Sequence, residues 1–292
     1  MGRISRYILI IILFYFSVSY CQEFAVDENT LFLAHFDKTL AADFSKGSKE
    51  SLSGGYAPLA KDGKIGACLF AGIKTDIPTK EPEDAPVEKK PFMGIQYATE
   101  GNINPSEGTV EMWVKPYFSF DKPDAVYIYT LFSTNAETGS ARVLLGMISH
   151  LGKRGVVLSI TDEEKGLREY GITYYTPDIQ PGKWYHIAFT WDKENISLWV
   201  DGIERGRRKM PLSFPIGKRF SIGGVGYKGR GIADALIDEL RISDVVRYKE
   251  TKSKSGEKTS EVRIEQKELL ENPGFEEGLK GWNILLKDGA KG

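Results

Sequence analysis

Apolar and polar residues alternate with a period of two along much of the chain between Thr30 and Ser243. Val110, Met112 and Val114 interleave with Glu111, Trp113 and Lys115. Tyr185, Ile187, Phe189 and Trp191 interleave with His186, Ala188 and Thr190, and Ile196, Leu198 and Val200 with Ser197, Trp199 and Asp201. A strand sends successive side chains to opposite faces, so this period predicts strands with one face on a core. Further strand-like runs are Val126–Ser133, Arg142–Ile148, Gly155–Thr161, Tyr170–Tyr175, Phe220–Gly223 and Ala235–Ile242. The breaks carry turn chemistry: Gly152-Lys153-Arg154-Gly155, Pro181-Gly182-Lys183, and Asp201-Gly202, a strong two-residue hairpin signal. No long stretch keeps a helical period. Many strands joined by short turns predict an all-β sandwich or barrel. Lys74 to Pro91, rich in Pro, Glu, Lys and Asp, reads as a long solvated loop inserted between early strands.

The two ends break the pattern. Arg3 and Arg6 precede an apolar run from Ile8 to Phe16, and Ser17-Val18-Ser19-Tyr20-Cys21 follows, so residues 1–21 read as a signal peptide cut after Cys21. The run is shorter than the roughly 20 residues a membrane span needs, so no transmembrane segment is expected. Lipid attachment at Cys21 is the alternative, with bulky Tyr20 standing where a small residue is the rule. The other cysteine, Cys68, sits in an apolar run and reads as a buried small hydrophobe. After Tyr248 the chain turns to Lys, Glu and Ser, so 22–249 is read as one sandwich, 250–267 as a charged linker and 268–292 as the start of a second module. The formal net charge of −1 offers no field to draw in nucleic acid.

Three segments give the sandwich a relative: Leu33-Ala34-His35-Phe36-Asp37, then Trp184 to Asp192 with Leu198-Trp199-Val200-Asp201-Gly202 behind it, then Ile237-Asp238-Glu239-Leu240-Arg241-Ile242. Together they resemble the laminin-G-like (LamG) jellyroll of the concanavalin A-like superfamily, which implies a two-sheet antiparallel jellyroll sandwich. Asn272, Phe275, Glu276, Gly278 and Trp282 are similar to the opening of a galactose-binding-like carbohydrate-binding module. The LamG resemblance further implies a calcium ion shared by Asp37 and Asp238, with Asp43 as a third ligand; a hard cation needs such oxygens. Lys38 stands where the family has glycine and Phe44 interrupts the second half of its pattern. The alternative for Asp37 and Asp238 is to pair with Arg241 or to cap backbone amides.

Enzymatic chemistry finds little footing. Glycan-cleaving relatives carry Glu-x-Asp-x-x-Glu, which puts paired carboxylates on one strand face, and this chain lacks it. Asp238 and Glu239 are adjacent, so a regular strand sends them to opposite faces. Glu107 and Glu111 have no partner pattern. Gly224-Val225-Gly226-Tyr227-Lys228-Gly229 matches a dinucleotide fingerprint in letters, but a strand follows it rather than a helix. It reads as a rim loop in which Tyr227, Lys228 and Arg230 are a stacking residue and two donors. Tyr174 and Trp199 are further candidates to stack on a sugar, against the alternative that they fill the sandwich. Arg205 to Lys209 reads as a solvated edge strand or a patch for an acidic glycan. Of the three histidines, His35 and His186 are expected to be hydrogen-bonded within strands and His150 to be exposed. The resulting expectation is a secreted or surface-held, non-catalytic module that binds polysaccharide or a cell-surface glycan. The alternatives are a spacer that contacts protein and an accessory domain of a glycoside hydrolase.

Overall fold

A computed structural model of the chain describes residues 23–248 except 53–56, 73–75, 86–93, 119–125, 135–140, 211–213 and 225–230. The expected signal peptide at 1–21, the linker at 250–267 and the second module at 268–292 lie outside the described residues, as do Tyr227, Lys228 and Arg230.

The described chain forms sixteen strands in order: β1 (Thr30–Ala34), β2 (Phe44–Ser45), β3 (Leu59–Ala60), β4 (Cys68–Ala71), β5 (Thr79–Lys80), β6 (Ile95–Ala98), β7 (Gly108–Pro116), β8 (Val126–Thr134), β9 (Ala141–His150), β10 (Lys153–Asp162), β11 (Leu167–Tyr175), β12 (Tyr185–Trp191), β13 (Asn195–Val200), β14 (Ile203–Lys209), β15 (Arg219–Ile222) and β16 (Ala235–Ser243). The single helical element among the described residues is a short 3-10 turn at Glu163–Lys165. Two sheets face each other. A ten-stranded sheet runs β14-β13-β12-β7-β16-β4-β3-β5, with β1 paired to β16 and β2 to β1, and a six-stranded sheet runs β11-β10-β9-β8-β15-β6. Every pairing is antiparallel. The fold is the all-β jellyroll-type sandwich that the alternation and the resemblance implied.

The inward set of each alternating run builds the core. Val110, Met112 and Val114 of β7, Ile187, Phe189 and Trp191 of β12, and Ile196 and Leu198 of β13 are buried against Phe132, Leu145, Leu158 and Phe220 of the opposite sheet. Phe32, Tyr97 and Phe220 meet edge-to-face and stacked, and Trp191 stacks on Phe214 at 4.2 Å. Burying a side chain of this size contributes about 1.5–3 kcal/mol, so the aromatic cluster joins the sheets firmly. The hairpin at Asp201-Gly202 forms as its letters predict, with φ of 52° and 74° and Val200 paired to Ile203. The β9–β10 hairpin is tighter than the sequence suggested: Lys153 and Arg154 belong to β10, and Leu151 and Gly152 make the turn at φ 49° and 74°. The Lys74 to Pro91 stretch also holds more structure than a loop, because β5 pairs with β3 and the Asp84 carboxylate accepts the Leu40 and Ala41 amides at 2.7 Å each.

β14 is the outer strand of its sheet, the place expected for Arg205 to Lys209. Its cations close the sandwich edge: the Arg208 guanidinium lies 4.1 Å from the Tyr170 ring and donates to the Gly171 carbonyl, and Arg205 lies 4.8 Å from the Tyr174 ring.

Candidate functional site

β16 changes partners in mid-strand. Ala235–Ile237 pair with β4, Leu240–Ser243 pair with β1, and the register against β7 shifts between Asp238 and Arg241. The switch is made by Asp238-Glu239, with Glu239 at φ 53°, a left-handed conformation that is uncommon outside glycine. The alternation expected for these two acids therefore does not hold; a bulge sits where a regular strand was assumed.

Each acid serves one side of this fork. Asp238 is fully buried, and its Oδ2 accepts the Lys64 and Ile65 amides at 2.6 and 3.0 Å while its Oδ1 accepts the Glu239 amide at 2.8 Å. Burial pushes its carboxyl up to about 7, with the three amides pulling the other way. Asp37 Oδ1 accepts the Ala67 amide at 2.7 Å, and its carbonyl accepts the Lys80 ammonium at 2.8 Å. Asp37 and Asp238 thus converge on the single turn that leads into β4. A side-chain carbon on Gly66 would come within 2.1 Å of Asp37 Oδ1, and Gly66 holds φ 63°, so this turn needs glycine twice over. Asp43 Oδ2 accepts the His35 amide at 2.8 Å.

Glu239 serves the other side. Its Oε2 accepts the Phe24 amide at 2.6 Å and its Oε1 lies 2.7 Å from His35 Nδ1, while His35 Nε2 lies 3.3 Å from Glu23. Among the described residues, Glu23, His35 and Glu239 are the three metal-ligating side chains that converge within 4.8 Å of one another. The bond to Glu239 raises His35 to about 8 against the opposing pull of burial, so both ring nitrogens face carboxylates as donors. The arrangement is an imidazolium clamp that ties the segment before β1 to β16.

The outer face of the ten-stranded sheet carries a second polar cluster. Glu111 of β7 is fully buried. Arg241, its register partner on β16, reaches its Oε1 through Nε at 2.8 Å and Nη2 at 2.7 Å; His186 Nε2 lies 3.2 Å from Oε2, and the Tyr248 hydroxyl donates to that oxygen. Burial works to raise the Glu111 carboxyl, but these partners outweigh it and hold it below its ordinary value. The Phe24 ring caps the group, 4.4 Å from the Arg241 guanidinium and edge-on to His186. Arg247 clasps Asp27 through two bonds of 2.8 and 2.7 Å. The segments before β1 and after β16 are thus bound side by side over this sheet.

Trp199 lies on this outer face, 4% exposed, with the Tyr248 ring 5.4 Å away. Tyr174 is half-buried against the core under Arg205. Cys68 is buried, with its thiol raised by burial, as its apolar run implied. His150, expected to be exposed, is instead half-buried beside the Tyr175 hydroxyl at 3.1 Å. Sequence reasoning weighed Glu111 only as a catalytic acid and missed its cluster, because its partners come from β12, β16 and the segment after it. A glutamate on an outward position between Thr109 and Trp113 was the available signal.

The family model for the concanavalin A-like lectin/glucanases superfamily, a laminin G-type domain, matches residues 93–251, more than half of the chain. No curated protein sequence matches it. Among solved structures, it is similar to domain 4 of AbnA, a GH43 extracellular arabinanase from Geobacillus stearothermophilus in complex with arabinotriose. That pair shares 18% identity and a TM-score of 0.50, over 75% of this chain and 94% of that one. It is also similar to HCR/D-Sa-GBL1/C, at 15% identity and a TM-score of 0.51, over 74% of this chain and 48% of that one. The LG4-5 domains of the mouse laminin alpha1 chain align at 11% identity and a TM-score of 0.42, over 71% of this chain and 46% of that one. At such identities the first two likenesses speak for the fold alone, and it is the family match over residues 93–251 that shows the membership: the chain belongs to the concanavalin A-like lectin/glucanases superfamily.

Proposed function

We propose that this sandwich is a non-catalytic carbohydrate-binding or adhesion module that holds a larger extracytoplasmic protein on polysaccharide or on a cell-surface glycan. The observation that carries this reading is the employment of the buried acids. Glu111 is engaged by Arg241, His186 and Tyr248, Asp238 by three amides, and Glu239 by His35 and the Phe24 amide. Glycoside cleavage needs one free carboxyl group as acid and a second as base or nucleophile across the scissile bond. These acids instead brace the sheet and leave its surfaces for recognition. The arabinanase domain solved with arabinotriose adds that a sandwich of this shape can present a sugar site.

A calcium ion at Asp37, Asp43 and Asp238 is the accompanying proposal, supported by the family resemblance and by the convergence of Asp37 and Asp238 on one turn. The fit is partial: Asp238 already gives both oxygens to amides, and Asp43 Oδ2 is already taken by the His35 amide.

A polysaccharide and glycan screen of the full chain, run with calcium and again with chelator, tests both. Binding in both conditions is the expected result. Binding lost in chelator would tie recognition to the ion. Absence of binding to every glycan would overturn the reading in favour of a protein-contacting spacer.

A further inference from the structure

The outer face of the ten-stranded sheet holds a cleft of about 310 Å³ beside the Glu111 cluster, lined in part by Glu107, Thr190, Asp192, Asn195, Ser197 and Tyr248. That volume sits at the small end of ligand pockets, which run from about 300 to 1,000 Å³. Thr109, Thr190, Ser197 and Arg207 form one row across β7, β12, β13 and β14, each paired in register with the next. The ends of the row are engaged. Thr109 donates to the Val245 carbonyl at 2.7 Å, and Arg207 binds both oxygens of Glu204 at 2.7 and 3.1 Å.

The middle of the row is not engaged. Thr190 and Ser197 are each only 4% exposed, yet neither hydroxyl makes a hydrogen bond to another described residue, and both open onto the cleft. Two neighbouring hydroxyls that have no protein partner among the described residues and open into the same cleft are free to bond a polar occupant there. Asp192 is held in place at the rim, its Oδ1 accepting the Glu194 and Asn195 amides at 2.7 Å each. Tyr248 forms an aromatic wall whose hydroxyl is fixed by Glu111 and whose ring lies against Trp199.

From this geometry we infer that the cleft is the seat of a neutral saccharide. Hydroxyl, amide and carboxylate groups offer both donors and acceptors to sugar hydroxyls, and an aromatic wall suits the apolar C–H face of a sugar ring. Charge selects within the class. Glu107 and Asp192 make the cleft acidic, and among the described lining residues the one cation, Arg207, is already neutralised by Glu204, so uronate and sulfated chains meet repulsion. A metal is the poorer occupant, because among the described residues three ligating side chains converge at Glu23, His35 and Glu239 and not here. The inference rests on the glycan-binding reading and gives it a place and a ligand class.

The test titrates the full chain with neutral arabino-, xylo-, manno- and galacto-oligosaccharides, and with oligogalacturonate and heparin fragments as acidic probes. Thr190→Val and Ser197→Ala remove hydroxyls that have no protein partner, so the double variant keeps its melting temperature. Its affinity for the best neutral probe falls by about tenfold or more, the loss expected for two unmade hydrogen bonds. Asn195→Ala is an independent probe from the rim and is expected to weaken the same ligand. A wild-type chain that binds neutral sugars while all three substitutions leave its affinity intact would move the site elsewhere and spare the general reading. Binding of acidic probes alone would overturn the ligand class. Silence toward every probe would sink both.

Discussion

Glu111 shows how much a single side chain can depend on distant parts of the sequence. Its partners Arg241, His186 and Tyr248 come from β16, β12 and the segment after β16, so the carboxylate fastens three regions at once. Removing one member of a buried ion pair leaves an uncompensated charge and costs about 3–5 kcal/mol. Glu111→Ala is therefore expected to lower unfolding stability by about that amount in urea denaturation, with the loss shared by Arg241→Ala in a double-mutant cycle. Additive losses would show that the pair is not coupled. The residue types at this site were readable in the sequence, but the contacts were not, since the register that sets Arg241 opposite Glu111 is fixed only when β16 pairs with β7. Asp37 and Asp238 were paired in advance only by the family resemblance, and what they hold on their common turn, the amides of residues 64, 65 and 67, has no sequence signature.

At the scale of elements, the long strands could be read because one face of each is continuously apolar. β12 runs over the residues that the alternation predicts, and β8, β9, β10, β11 and β16 extend one to three residues beyond their predicted ends. The two-residue strands β2, β3 and β5 are too short to show a period. The segment before β1 is held by polar contacts instead of by pattern, and His35 is its clamp. Folding raises His35 from its ordinary 6.5 to about 8, so the folded state binds the proton more tightly. The resulting stabilisation, up to about 2 kcal/mol, is complete below about pH 6.5 and is lost as pH rises through about 8. Asp238, raised to about 7 by burial, also lowers stability with rising pH, but from about 4 to 7, so the range from 7 to 8.5 reports on His35. Thermal melts across that range should fall for the wild-type chain and run flat for His35→Gln. Parallel slopes would remove the clamp from the account.

For the whole molecule, sheet order follows from which strands share the core, and the family resemblance supplied a topology that alternation alone leaves open between sandwich and barrel. The pairing of β1 with β16 sets Thr30 against Ser243, so the chain enters and leaves the sandwich at the same end of the same two strands. The Asp27–Arg247 clasp lies just outside that pair. In mechanical terms this is a zipper geometry. Tension that draws the two ends apart loads the clasp first and then the rungs between β1 and β16 one at a time, whereas shear would load them together. Single-molecule pulling from both ends should give a low first rupture force that drops further in Arg247→Ala, and a high, clasp-independent force would contradict the zipper. A host that keeps both ends on its own side leaves every rung unloaded, so this geometry resists force better as a pendant than as a link in a chain.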